Sequence, residues 1–219
     1  MNRRFCQALS MSAAAALLSA CGGLQPPIGV PGATPSLASS QSDGLKARAG
    51  QHNVLDPSFE KPVLNPGSYE GFAPGHKLGP WKVVGSAEVG LISTSYADAG
   101  YTFTAGCGQQ SVDLAAGGGA KDGLSQKLRT TVGKHTLSFM VGNINSSNGY
   151  LGKKSTVIVL VDGTEIFKAT NSRGKGVKHQ VWSKFSTSFN AKSTSVTITF
   201  KSGDPSYDRV DGLDCIAVK

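Results

Sequence analysis

The side chains best able to recognise a ligand are concentrated in one stretch, Gly142-Asn143-Ile144-Asn145-Ser146-Ser147-Asn148-Gly149-Tyr150. Asparagine amides set a donor beside an acceptor, which suits paired sugar hydroxyls, and a tyrosine ring offers a face on which a sugar can stack. Asn143, Asn145 and Tyr150 are therefore candidate ligand-binding residues; the same composition also serves a plain hairpin connection. Tyr69, Phe72, His76, Tyr96 and Tyr101 fall in stretches that read as loops, and of these Tyr96, Tyr101 and His76 are expected to join the same site. Arg173 opens a basic run, Arg173-Gly174-Lys175-Gly176-Val177-Lys178-His179, which can hold a carboxylated polysaccharide or a phosphate, or can be a solvated face and nothing more. Its flanks lack interleaved aromatics, which argues against single-stranded nucleic acid.

Signals for catalysis are sparse. There is no Gly-x-Ser-x-Gly elbow, no phosphate-binding Gly-x-x-x-x-Gly-Lys and no paired His or Cys spacing for a metal. The four histidines are scattered, and Glu70, Glu88 and Asp98 supply carboxylates without a spacing that places two across a cleft. The expectation is a binding module that is not an enzyme. Trp81 and Trp182 could be stacking platforms, but each sits among strand residues and is expected to pack in the core.

These side chains must be held by strands. Short β-branched or alternating runs recur from residue 53 onwards, separated by Gly, Asn, Asp and Ser, and no long helical period occurs. Strands are expected over 54–59, 81–91, 109–114, 123–130, 135–142, 156–161, 164–169, 180–189, 195–201 and 210–218. Asp162-Gly163 between two apolar runs predicts a tight hairpin, and Gly133-Lys134 is expected to join another antiparallel pair. The alternation Thr194-Ser195-Val196-Thr197-Ile198-Thr199-Phe200 places Val196, Ile198 and Phe200 on a core face. One-sided strands of this kind make two stacked antiparallel sheets.

The N-terminal region reads differently. Arg3 and Arg4 precede an apolar stretch that ends in Leu18-Ser19-Ala20-Cys21, and this resembles the signal peptide and lipobox of a bacterial lipoprotein. The resemblance implies removal of residues 1–20, lipidation of Cys21 and a lipid anchor in the cell envelope, in the outer membrane if the cell is Gram-negative. Residues 21–52, rich in Gly, Pro, Ser and Ala and without aromatics, are expected to form a flexible stalk reaching on the order of 30 Å. The net charge of +8 favours anionic surfaces. With Cys6 removed and Cys21 lipidated, Cys107 and Cys215 are left to form a disulfide or to stand as two buried thiols. A bond would close a loop of about 108 residues and stabilise the domain by roughly 4–5 kcal/mol.

Over residues 53–219 several motifs follow in order: Asn53-Val54-Leu55-Asp56-Pro57-Ser58-Phe59-Glu60, then Gly79-Pro80-Trp81-Lys82-Val83-Val84-Gly85-Ser86-Ala87-Glu88-Val89, then Gln110-Ser111-Val112-Asp113-Leu114, and finally Gly212-Leu213-Asp214-Cys215-Ile216-Ala217-Val218. Together they resemble the domain of unknown function 642 and the choice-of-anchor C family, galactose-binding-like jelly rolls of cell-wall and bacterial surface proteins. The resemblance implies an all-β jelly-roll sandwich with a carbohydrate-binding-like face. Relatives of that kind hold one structural Ca²⁺ between the first and last strands, which makes Glu60, Asp211 and Asp214 its candidate ligands; no other cofactor is required. The functional expectation is a lipid-anchored envelope protein that recognises a polysaccharide, acidic ones included. The alternative is an envelope assembly protein that docks another protein through a strand edge.

Overall fold

The computed structural model describes residues 54–118, 121–146, 149–205 and 210–219. Cys21, the lipobox and the expected stalk lie outside the described residues. Among those residues the secondary structure is all strand. β1 (Tyr69–Phe72), β4 (Val89–Ser93), β7 (Gln110–Asp113), β9 (Gly133–Asn143), β12 (Val181–Ala191) and β14 (Gly212–Val218) form one antiparallel sheet in the order β1-β4-β7-β14-β9-β12. β2 (Lys77–Leu78), β3 (Trp81–Val84), β8 (Gly123–Arg129), β10 (Ser155–Val161), β11 (Thr164–Asn171) and β13 (Ser195–Ser202) form the other, in the order β11-β10-β13-β8-β3-β2. A short ribbon, β5 (Ala97–Asp98) with β6 (Tyr101–Thr102), stands apart from both. This is the expected jelly-roll sandwich.

Alternating side chains fill the space between the sheets. Val196, Ile198 and Phe200 of β13 are buried as the alternation requires. Trp81 packs at 5.5 Å from Phe59 and 6.1 Å from Phe200, while Phe139 of β9 meets Phe200 edge-on at 5.2 Å. Fully burying each such ring removes enough apolar surface to contribute about 2–3 kcal/mol. Trp81 also donates its indole N–H to the Asp56 carbonyl at 3.1 Å, so it is a core residue. Asp162 and Gly163 both take positive φ, 49° and 81°, and close the β10–β11 hairpin as expected.

Four strand expectations need correction. Residues 54–59 form turns, because Asp56 and Phe59 adopt positive φ and the Asp56 carboxylate accepts the N–H groups of Glu60 and Lys61. Tyr69 and Phe72, expected in a loop, lie on β1 at the edge of the first sheet. The single strand expected over 81–91 is two, in different sheets: the buried carboxylate of Asp122 accepts the N–H groups of Ser86 (2.5 Å) and Ala87 (2.9 Å) and turns the chain between them. Gly133 and Lys134 start β9 rather than closing a hairpin, since β8 and β9 belong to opposite sheets.

Candidate functional site

At one end of the sandwich the loops enclose a second, smaller apolar cluster. Ile92, Tyr101, Phe103, Ile144, Leu151 and Val210 are buried in it, and Tyr96 packs against it. Backbone contacts lace these loops together: Phe103 N–H donates to the Tyr96 carbonyl at 2.7 Å, Thr102 N–H to the Lys178 carbonyl at 2.9 Å, and Gln180 N–H to the Thr102 carbonyl at 2.9 Å. Asn143 completes the lacing. It is fully buried, its Nδ2 donates to Ser155 Oγ at 3.0 Å and its Oδ1 accepts the Gly174 N–H at 2.9 Å, so its amide is engaged with the protein.

Two clefts open on this end. The first encloses about 530 Å³, open solvent included, between Tyr69, Tyr96, Phe103, Tyr150, Asp98 and Asp113. The rings of Tyr69 and Tyr96 lie 5.8 Å apart, and Tyr96 lies 5.4 Å from Phe103, so the wall is a continuous aromatic surface. Tyr69 donates its hydroxyl to Glu88 Oε1 at 2.9 Å. Burial and then Glu88 push the Tyr69 phenol upward; burial, then Asp98 and Tyr150, push Tyr96 the same way. Both phenols are therefore neutral at physiological pH. Asp113 ends β7, is 4 % exposed, and has one carboxylate oxygen fixed by the N–H groups of Ala115 (2.9 Å) and Asp211 (2.8 Å).

Behind Asp113 lie two more buried carboxyls. Asp211 accepts the Thr156 N–H at 2.7 Å and has Asp204 within hydrogen-bonding reach; Asp204 lies 3.4 Å from Lys154 Nζ. Asp211 Oδ2 and Asp204 Oδ2 have no hydrogen-bond partner among the described residues. Burial, reinforced by the charges of Asp204 and Asp113, holds Asp211 well above the ordinary carboxyl range against the opposing Ser202 hydroxyl. Burial and the neighbouring charges of Asp204 and Asp113 thus both disfavour ionisation of Asp211.

The expected calcium ligands do not come together. Glu60 accepts the N–H groups of Gln109 (2.9 Å) and Gln110 (3.1 Å), and Asp214 accepts those of Gly106, Cys107 and Cys215 at 2.7–2.8 Å, whereas Asp211 faces Asp113 and Asp204. Backbone donors occupy both oxygens of Asp214 and one each of Glu60 and Asp211, and among the described residues no group of three His, Cys, Asp or Glu side chains is arranged to hold a metal. The set Glu60, Asp211 and Asp214 thus does not fit one Ca²⁺. Cys107 and Cys215 are joined in a disulfide, with Cα atoms 5.6 Å apart, directly beside Asp214. Burial lifts Asp214 to about 7 despite its three N–H donors, and Glu60 adds to the rise.

The second cleft is lined by Tyr101, Asn145, Lys153, Lys175 and Lys178. Of the residues expected to bind ligand, Tyr96 and Tyr150 therefore share the first cleft, while Tyr101 and Asn145 share the second. Arg173 is exposed on the adjoining loop, and His76 is exposed in the turn before β2; neither lines a cleft. Trp182 is half-buried and donates to the Thr104 carbonyl at 3.2 Å. Asp113, Asp204 and Phe103 were not legible as site residues: Asp113 reads as one polar position of Gln110-Ser111-Val112-Asp113-Leu114, and only the fold sets it beside Asp211.

A two-sheet jelly roll with a loop-built aromatic cleft and a buried carboxyl defines the class. Residues 51–201 match the HpiC1-like family, described as HpiC1 cyclase, and the chain belongs to that family. Its fold is similar to that of the Stig cyclase Fisc from Fischerella sp. TAU in complex with (3Z)-3-(1-methyl-2-pyrrolidinylidene)-3H-indole, at 16% identity and a TM-score of 0.53, over 78% of this chain and 96% of that one. A cyclase from Fischerella sp. TAU in complex with 4-(1H-indol-3-yl)butan-2-one gives the same identity and TM-score over 77% and 96%. A family 35 carbohydrate-binding module from Clostridium thermocellum is more distant, at 14% identity and a TM-score of 0.43 over 69% and 97%. No curated protein matches the sequence. Two expectations change here. The matching family is that of the HpiC1-like cyclases rather than the domain of unknown function 642 or the choice-of-anchor C proteins, and a module that is not an enzyme gives way to membership of a cyclase family.

Proposed function

We propose that the chain is a cyclase that closes a ring in a compact aromatic substrate bound in the tyrosine cleft, with Asp113 as general acid. The observation that carries this reading is the buried carboxyl of Asp113 in the wall of an aromatic cleft, positioned by two backbone N–H groups and with the buried carboxyl of Asp211 beside it. Family membership supports the reaction class. The ligands of the Fischerella cyclases are indoles, and the faces of Tyr69 and Tyr96 suit a ring of that kind.

Asp113 gives its proton to an unsaturated carbon of the substrate. The cation so formed faces the tyrosine rings, whose quadrupoles stabilise positive charge. A second π bond of the substrate supplies the electron pair for the new carbon–carbon bond, and loss of a proton to the Asp113 carboxylate restores the acid. Atoms and electrons balance without an oxidant, so the product is an isomer of the substrate. A positioned acid of this kind contributes roughly 10²- to 10⁴-fold to the rate. The enzyme works at the cell envelope, tethered through a lipidated Cys21.

Titration of the protein with 4-(1H-indol-3-yl)butan-2-one, followed calorimetrically, tests the substrate class. Saturable binding is expected in the wild type, weakened about tenfold or more in Tyr96→Ala by the lost stacking face. Absence of saturable binding in the folded wild type would remove the aromatic-substrate reading.

A further inference from the structure

The second cleft has no part in the reaction above, and its chemistry differs from that of the first. We infer that the cleft between Tyr101, Asn145, Lys153, Lys175 and Lys178 is a binding site for a carboxylated polysaccharide. Its lining includes Lys153, Lys175 and Lys178 and not one Asp or Glu; the nearby Asp98, paired with Tyr101 across the β5–β6 ribbon, faces the first cleft. Lys154 is engaged by Asp204. Lys175 and Lys178 are exposed, line the cleft and make no ion pair among the described residues.

The lysines are positioned rather than scattered. A parallel bridge pairs Asn145 with Lys175, which fixes the two walls against each other, and the Lys178 ammonium sits 4.3 Å above the centre of the buried Tyr101 ring. The cleft spans about 880 Å³, open solvent included.

A neutral polar group decides which anion fits. Asn145 spends Nδ2 on the Lys153 carbonyl at 2.9 Å, which leaves its Oδ1 as an acceptor. Inorganic phosphate is a compact charge without the hydroxyls of a sugar ring. A uronate sugar brings a carboxylate for the lysines together with hydroxyls that can donate to that acceptor. Lysine ammoniums, as point charges on flexible stems, tolerate the variable spacing of carboxylates along such a chain.

The test measures binding of the full chain to polygalacturonate, with neutral galactan and inorganic phosphate as the other arms. Wild type is expected to bind polygalacturonate with an affinity that falls as salt rises, to bind galactan at least about tenfold more weakly, and to resist displacement by phosphate at equal anion concentration. Lys175→Glu combined with Lys178→Glu is expected to lower the affinity about tenfold or more, while Lys134→Glu, at the far end of β9, leaves it within about twofold. An equal loss in Lys134→Glu, equal binding of galactan, or full displacement by phosphate would overturn the inference. Indole binding in the tyrosine cleft, read on the same samples, is expected to stay unchanged, so failure of the polysaccharide site and failure of the cyclase reading give different results.

Discussion

Two aspartates show how burial sets chemistry in this protein. Asp113 keeps one oxygen on two backbone N–H groups while its side chain faces an aromatic cleft, and its neighbour Asp211 is pushed well above the ordinary carboxyl range by burial and by the charges around it. Asp214, beside the Cys107–Cys215 bond, is raised to about 7. Between pH 3.8 and about 7 the folded protein therefore holds a proton at Asp214 that the unfolded chain has already released. Its contribution to stability is complete below pH 3.8, is lost as pH rises through 7, and is level above that. A shift of about three units corresponds to a few kcal/mol. Thermal unfolding followed from pH 4 to pH 8 should show a decline that is shallower in Asp214→Asn, which keeps one acceptor oxygen; the same slope in both proteins would contradict the assignment. None of this is readable from the chain. Asp113, Asp211 and Asp214 all look like strand-end aspartates in sequence, and only burial separates a cleft acid from a residue that organises backbone.

At the scale of elements, alternation identified the long strands of the sandwich correctly because each buries one face and exposes the other, as in β13. Where a side chain from a distant segment bends the backbone, local pattern fails. The split of residues 81–91 into β3 and β4 depends on Asp122, which lies more than thirty positions downstream and is itself fully buried. Asp122→Ala removes the acceptor of the Ser86 and Ala87 N–H groups and is expected to destabilise the fold by about 2–4 kcal/mol, measured by denaturant unfolding. Asp122→Asn, which retains an oxygen, should cost less. Equal stability of Asp122→Ala and wild type would show that this turn forms without the carboxylate. The same logic explains the loop end. The stretch 142–150 was legible as a place for polar recognition by composition alone, but which of its side chains face solvent was not: Asn143 is consumed in tethering residue 174, whereas Tyr150 reaches the aromatic cleft.

For the whole molecule, strand periodicity was sufficient for two stacked antiparallel sheets, the jelly roll followed from the family resemblance, and the cysteine count left Cys107 and Cys215 as a disulfide or two buried thiols, of which the structure has the disulfide. Membership of a cyclase family was invisible, because the chain carries none of the familiar catalytic spacing motifs. The proposed tether makes a separate prediction. Cys21→Ser should abolish labelling by a radioactive fatty acid and shift the protein from the membrane fraction to the soluble one; unchanged labelling would place the lipid elsewhere. The central claim is that the tyrosine cleft performs acid-catalysed ring closure, and it is tested most directly by turnover of an indole carrying an unsaturated side chain, with wild type and Asp113→Asn compared at equal folded concentration. The account predicts a cyclised product of unchanged mass from the wild type and a rate lower by roughly 10²-fold or more in the variant; a variant as fast as wild type would contradict it.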